Sequence, residues 1–211
     1  MDLPPAINLG SGKDWRVDHL NIDFNPIWEP DLVLDLNRPI PINTPVHAGR
    51  FGSILLRENQ FDGILANDIL EHVTNLASLM TDCLRLLKPG GEFRIAVPYD
   101  LSYGAWQDPT HVRAFNERSW LYYTEWFWYL GWKDARFDLA MNHVDLSPVG
   151  EELQRGGSSL DFVLRQPRAV DTMKVVLRKR HLTAEEKALA EQYWSSQRKT
   201  AGLADAKGTD A

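Results

Sequence analysis

The stretch from Phe61 to Val97 constrains this chain more than any other. Phe61–Ala66 and Phe93–Val97 are short apolar runs, and between them apolar residues fall at Ile69, Val73, Leu76, Met80, Cys83 and Leu87. Alternating steps of four and three residues draw one stripe along a helix. Asp68 stands where an N-cap is needed, with Glu71 in the capping-box position, and Lys88-Pro89-Gly90-Gly91 supplies the stop. The result is a strand–helix–strand unit, which joins parallel strands. Ala6–Leu9, His19–Phe24, Asp31–Leu36 and Met173–Leu177 read as further strands. Their near-continuous apolar content predicts an α/β protein whose sheet is parallel and covered on both faces.

With 211 residues, 44% of them hydrophobic, the chain can bury one core. The expected organisation is one domain over residues 1–182, followed by a C-terminal helix and tail over 183–211. Thr183 and Glu186 form a candidate capping box for a helix over 183–199, and the small, polar TAGLADAKGTDA at 200–211 reads as a frayed tail. A net charge of −6, with no basic run longer than Arg178–Arg180, argues against a nucleic-acid partner held by phosphate contacts. The lone Cys83 excludes an internal disulfide framework and a cysteine-based metal cluster. MDLPPAINLG lacks the basic and apolar regions of a signal peptide, and no apolar run approaches the length of a membrane span. The expectation is a soluble, cytoplasmic protein with no membrane partner.

The first four predicted strands carry glycines or polar residues at their carboxyl ends. NLGSGKD follows the first strand, with Gly10 and Gly12 flanking Ser11; taken alone, this is as consistent with a tight turn as with a ligand loop. Asp23 ends the second strand, Asp35 the third, and Asn67-Asp68 the fourth. In open α/β sheets ligands bind at that edge, and an acid beside a glycine turn can accept both hydroxyls of a ribose.

NLGSGKD, NIDFNP, DLVLDLNRPIP, FDGILANDILEHV and LRLLKPGGEFRIAVP together resemble the class I S-adenosylmethionine-dependent methyltransferases, closest to the small-molecule type with Leu-Glu-His after the fourth strand. The resemblance covers residues 6–98. It implies a doubly wound, mostly parallel, seven-stranded Rossmann-like sheet with an antiparallel last strand: Met173–Leu177, inserted beside Ala135–Met141. It implies S-adenosylmethionine as cofactor, with Gly10, Ser11 and Gly12 beneath the methionine portion, Asp23 on the ribose, Asp35 and Leu36 at the adenine, and Asn67 and Asp68 near the methionine amino group. Three positions depart from the family pattern. Asn8 replaces an acid, Asp14 replaces a third glycine, and Gly12 and Asp23 are too close for a normal crossover helix, leaving one turn around 14–17 or a loop.

Twelve aromatic residues lie between Tyr99 and Trp132, directly after the fifth strand. A helix over Glu117–Leu130 would place Trp120, Tyr123, Phe127 and Leu130 in the core. Tyr99, Asp100, Tyr103, Trp106 and Arg113 are the candidates for a substrate lid, where aromatic walls exclude water and contact a sulfonium. His111 is the candidate general base, oriented by Asp108 or Asp100; the alternative is that His111 holds its turn through backbone hydrogen bonds. Glu71 is read as a capping residue and His72 as a packed helix residue. His111, Asp108 and His143 could share a metal only in a geometry that one sequence does not supply, and no metal ligand is assigned.

The expected function is in-line methyl transfer to a small-molecule or sugar-like acceptor. The competing readings are a catalytically inactive methyltransferase-fold scaffold with weak cofactor binding, and a nicotinamide enzyme. The aromatic surplus is compatible with a homodimer.

Overall fold

The computed structural model describes residues 2–200. The proposed tail from 201 onward lies outside the described residues. Strands β1 (Ala6–Leu9), β2 (His19–Asp23), β3 (Leu32–Val33), β6 (Phe61–Asn67), β7 (Leu87–Pro98), β8 (Ala135–Leu146) and β9 (Val170–His181) form one sheet in the order β3-β2-β1-β6-β7-β9-β8. All neighbours pair in parallel except β9, which runs antiparallel to both β7 and β8. This is the predicted seven-stranded sheet with its antiparallel last strand. Strands β4 (Pro45–Ala48) and β5 (Gly52–Leu55) form a separate hairpin that the sequence did not announce.

Register explains how the core is built. Leu20, Ile7, Ile64, Phe93 and Leu177 are cross-strand neighbours in one row, each at most 1% exposed. Ile22, Leu9, Ala66, Ile95 and Val175 form the next buried row on that face. Helix α1 (Leu76–Leu86) and the aromatic segment join this core, and they meet where the Trp132 Nε1–H donates to Thr81 Oγ1 at 3.0 Å.

The intervening row points the other way and is chemically different: Asn21, Asn8, Leu65, Arg94 and Val176. Side chains alternate across a strand, so one sheet presents both rows to opposite faces. Among the described residues no helix covers this second face over β1 and β2. The segment between Gly12 and β2 is a loop, pinned by the Asn8 amide, which donates to the Asp14 carbonyl at 2.6 Å and to Asn21 Oδ1 at 3.2 Å. Asn21 is bonded in turn to Asp31, whose carboxylate takes a bidentate pair from Arg50 at 2.6 and 2.7 Å. Burial pushes the Asp31 carboxyl up, but Arg50 and Asn21 outweigh it and hold it below its ordinary value. Asn8, a departure from the family pattern, thus anchors the loop that stands in for the missing helix.

Several local expectations are corrected. Helix α1 starts at Leu76 with Asn75 as its cap, not at Ile69. Asp68 sits at φ 47 and caps nothing; residues 70–72 make a single 3-10 turn capped by no side chain. The third strand shortens to Leu32–Val33 because Asp35 already turns the chain, accepting from the Asn37 N–H at 3.0 Å. The predicted helix over 117–130 is two 3-10 turns, Leu121–Tyr123 and Phe127–Leu130, yet Trp120, Tyr123 and Phe127 are buried as expected.

Three short helices were not foreseen: α2 (Gly104–Gln107), α3 (Pro148–Arg155) and α4 (Leu160–Leu164). Helix α5 (Ala184–Thr200) has its reciprocal capping box, with the Thr183 N–H donating to Glu186 and the Glu186 N–H to Thr183. Among the described residues no helix is long and apolar enough to cross a membrane.

Candidate functional site

A cleft of about 550 Å³ opens at the carboxyl ends of the central strands. Its walls include Gly10 after β1, Asp23 and Phe24 at the end of β2, Leu34–Asn37 after β3, and Asp68, Ile69, His72 and Val73 after β6; Thr110 closes one side. Gly10 adopts φ 61 and a Cβ there would meet the Ile69 side chain at 2.5 Å, so this position needs glycine on both counts. Asp23 stiffens the loop: Oδ2 accepts from the Gly12 N–H at 2.8 Å and Oδ1 from the Asn25 N–H at 2.8 Å. Each oxygen retains acceptor capacity, since a carboxylate offers about four lone-pair sites.

Asp35 is exposed at the lip, bonded to Asn37, and Leu36 is buried behind it. Asn37 bridges to the approach to α1 by accepting from the Thr74 N–H and hydroxyl. Ser11 is buried with its hydroxyl unpaired. Asn67 lines a shallow depression elsewhere on the sheet, with Leu65, Arg94 and Val176, and is not among the cleft's walls. The cleft therefore combines three carboxylates, Asp23, Asp35 and Asp68, with apolar walls and no lysine or arginine. That lining fits a ligand with a flat apolar ring and a positive charge.

A second group lies on the cleft's far wall. Two segments build it: the turn at 68–73, and the stretch from 105 to 113 that laces along it. The Val112 N–H donates to the Glu71 carbonyl, and Arg113 Nη2 donates to the carbonyls of Val73 and Thr74. Between them sit Glu71, His72 and His111, whose ligand atoms lie within 4.8 Å of one another. Glu71 is 1% exposed, and neither carboxyl oxygen has a hydrogen-bond partner. Burial pushes its pKa up to about 7, reinforced by Asp68 and Asp108 and opposed by its own backbone and His111. Asp68 is also raised by desolvation, with His111 and His72 pulling the other way.

The predicted site residues fall into distinct places. His111 is half-buried with Nδ1 at 3.0 Å from the Ala105 carbonyl and Nε2 at 4.0 Å from Glu71, while His72 and not His111 lines the cleft. Asp108 does not orient His111; it accepts from the Thr110 N–H and hydroxyl, which hold its carboxyl below the ordinary range. Nor does Asp100, whose Oδ2 accepts from Asn116. His143 pairs with Asp145 on β8 and stands outside the His111 group.

Arg113 holds backbone carbonyls. Tyr99 is buried and donates to Glu117 and the Leu164 carbonyl; burial first, then Glu117 and Asp100, raise its hydroxyl's pKa. Tyr103 and Trp106 are exposed, 59% and 63%, and Arg168 stacks 4.1 Å over Tyr103. Sequence reasoning passed over Glu71 and His72. The signal for them was present, an acid beside an imidazole just past the fourth strand, but its helix-cap explanation hid it.

Residues 29–95 match the family model described as "Methyltransferase domain". A Mycolicibacterium smegmatis protein described as a probable S-adenosylmethionine-dependent methyltransferase is 25% identical over 75 residues. That segment is 34% of this chain and 29% of that protein, so the chain spans about three-tenths of that relative. Among solved structures, the Haloferax volcanii complex between the Trm112 methyltransferase activator and a methyltransferase aligns at a TM-score of 0.51 with 16% identity, covering 86% of this chain and 85% of that one. An Archaeoglobus fulgidus S-adenosylmethionine-dependent methyltransferase aligns at 0.50 with 16% identity, covering 83% and 86%. The chain shares their fold, and its sequence resembles the class I S-adenosylmethionine-dependent methyltransferases.

Proposed function

We propose that this chain is an S-adenosylmethionine-dependent methyltransferase acting on a small-molecule or sugar-like acceptor. The observation that carries the reading is the lining of the cleft: three carboxylates and apolar walls at the strand ends, without a lysine or arginine. A sulfonium and an ammonium suit that lining; a pyrophosphate does not. A dinucleotide also wants a helix N-terminus after the glycine turn, and a loop stands there instead. The nicotinamide alternative is therefore disfavoured.

In this reading Asp23 accepts the ribose hydroxyls, Asp35 and Leu36 border the adenine, and Asp68 with the Asn67 backbone faces the ammonium end. Gly10 and Gly12 let the backbone pass close beneath the ligand. The bound cofactor supplies an already activated methyl group, so the protein's contribution is alignment and exclusion of water. Glu71, His72 and His111 are the groups available to manage the acceptor's proton. Exposed Tyr103 and Trp106, just before the turn that carries Thr110 and His111, offer flat apolar faces of the kind on which a sugar ring stacks.

Calorimetric titration with S-adenosylmethionine and S-adenosylhomocysteine tests the reading. Asp23→Ala should weaken binding about ten- to a hundredfold, the equivalent of losing roughly 1.5–3 kcal/mol of charged hydrogen bonding. Since Asp23 also holds Gly12 and Asn25, Asp35→Ala serves as the companion, removing a lip carboxylate that anchors no distant segment. Wild-type protein that fails to bind at millimolar cofactor would sink the reading and favour the scaffold alternative.

A further inference from the structure

We propose that Glu71, His72 and His111 bind a first-row divalent metal ion such as Zn²⁺ on the wall of the cleft. The argument starts from an electrostatic imbalance. Glu71 places two carboxyl oxygens in a site with almost no solvent, and nothing donates to either. Buried polar atoms are nearly always satisfied, and a buried carboxylate more strictly than most.

The imidazoles around Glu71 do not repair this. His111 has Nδ1 at 3.0 Å from the Ala105 carbonyl, which can only accept, so Nδ1 carries the proton. In the neutral imidazole its Nε2, 4.0 Å from Glu71, presents a lone pair to a carboxylate. His72 is set by a relay. Asp108 accepts at 2.7 Å from the Thr110 hydroxyl, which spends its one proton there. The same hydroxyl oxygen, 2.9 Å from His72 Nδ1, must accept from it, leaving the Nε2 lone pair free.

One carboxylate and two imidazoles thus converge within 4.8 Å as electron-pair donors with no positive partner between them. Each imidazole is oriented by a hydrogen bond at Nδ1, as histidine ligands to metals are oriented by a bond at one ring nitrogen. Two imidazoles and a carboxylate suit Zn²⁺, Co²⁺ or Fe²⁺ rather than Mg²⁺ or Ca²⁺, which prefer all-oxygen sets. His72 and Thr110 line the cleft, so coordination positions left open by three protein ligands face it. The ion would bind an oxygen of the acceptor there. That last step rests on the methyl-transfer reading; binding of the ion does not.

The test uses metal-stripped, full-length protein titrated calorimetrically with Zn²⁺, and separately with Co²⁺ monitored by its visible absorption. One ion per chain is expected, with Mg²⁺ failing to compete. Glu71→Gln and His72→Asn should each lower Zn²⁺ affinity about a hundredfold or more, since loss of even an outer partner of a ligand costs 10–100-fold. His143→Gln, remote from the cluster, should leave it unchanged.

Zn²⁺ should also raise the melting temperature of the wild type but not of His72→Asn, a readout that survives if Glu71→Gln folds poorly. Absence of saturable binding overturns the proposal, as does binding that both variants leave within about threefold of wild type; a proton on Glu71 would then fill the metal's role. Cofactor titration of the same stripped protein separates the two ideas. Cofactor binding without Zn²⁺ binding removes the metal site alone, and Zn²⁺ binding without cofactor binding removes the methyl-transfer reading alone.

Discussion

The two faces of the central sheet solve the same problem by different chemistry. On one face, the row Leu20–Ile7–Ile64–Phe93–Leu177 packs against α1 and the buried aromatics, and the gain is apolar burial. On the other, one residue along each strand, Asn21 and Asn8 hold a loop through hydrogen bonds, and Arg94 stands 64% exposed beside Glu92. The apolar face is non-directional and tolerates irregular cover: two 3-10 turns serve where a helix was expected. The polar face is directional, and each of its bonds depends on a specific partner. The lesson is that a chain can dispense with a covering helix if its loop carries enough satisfied polar groups.

The largest expected effect tests the apolar face. Trp120 is 1% exposed and stacks on Phe115 with ring centroids 5.4 Å apart. Trp120→Ala should destabilise the protein by about 3–5 kcal/mol, read from denaturant unfolding. Next comes the polar face, at its buried carboxylate. Asp31→Ala takes the bidentate partner from Arg50, which keeps the Val17 and His19 carbonyls, and leaves the Asn21 N–H without its acceptor, and should cost about 2–3 kcal/mol. If that loss instead matched a surface change, the polar network would not be what holds the loop.

Glu186 sits at the sheet's edge, accepting from Arg180 and Arg136, and Arg180 above all holds its pKa down at about 2. A carboxyl depressed in the folded state stabilises it above the unfolded pKa of about 4.5 and loses that contribution as pH falls toward 2. Glu186→Gln should therefore flatten the acid limb of a stability–pH profile, and lower stability at neutral pH by about 1–2 kcal/mol. The smallest effect is expected for Arg94→Ala on the open face, under about 0.5 kcal/mol by melting temperature, because exposed ion pairs are screened. A larger loss would mean that something covers that face in solution.

Much of this was legible beforehand, and the reasons differ by element. The capping box of α5 was readable because its two partners are three residues apart. The stripe from Ile69 to Leu87 correctly located a helix and its buried side, but not its start. Ile69 and Val73 pack on the same core from a turn and so continue the periodicity beyond the helix. Glu71 was misassigned for the same reason. A local explanation existed, and the competing one required His111, forty residues away in the chain.

By itself, then, the sequence determined what depends on near neighbours: the apolar strands of the sheet, the glycine turn at Gly10, the acids at the strand ends, and the capping box of α5. Those features follow from backbone geometry and side-chain spacing over a few residues. Only the tertiary structure decided that Asn8 would tie down a loop in place of a helix, that Asp23 would brace the turn it borders, and that Glu71, His72 and His111 would meet. Such contacts join segments whose separation in space is set by the packing of the whole core, and no spacing along the chain encodes that distance.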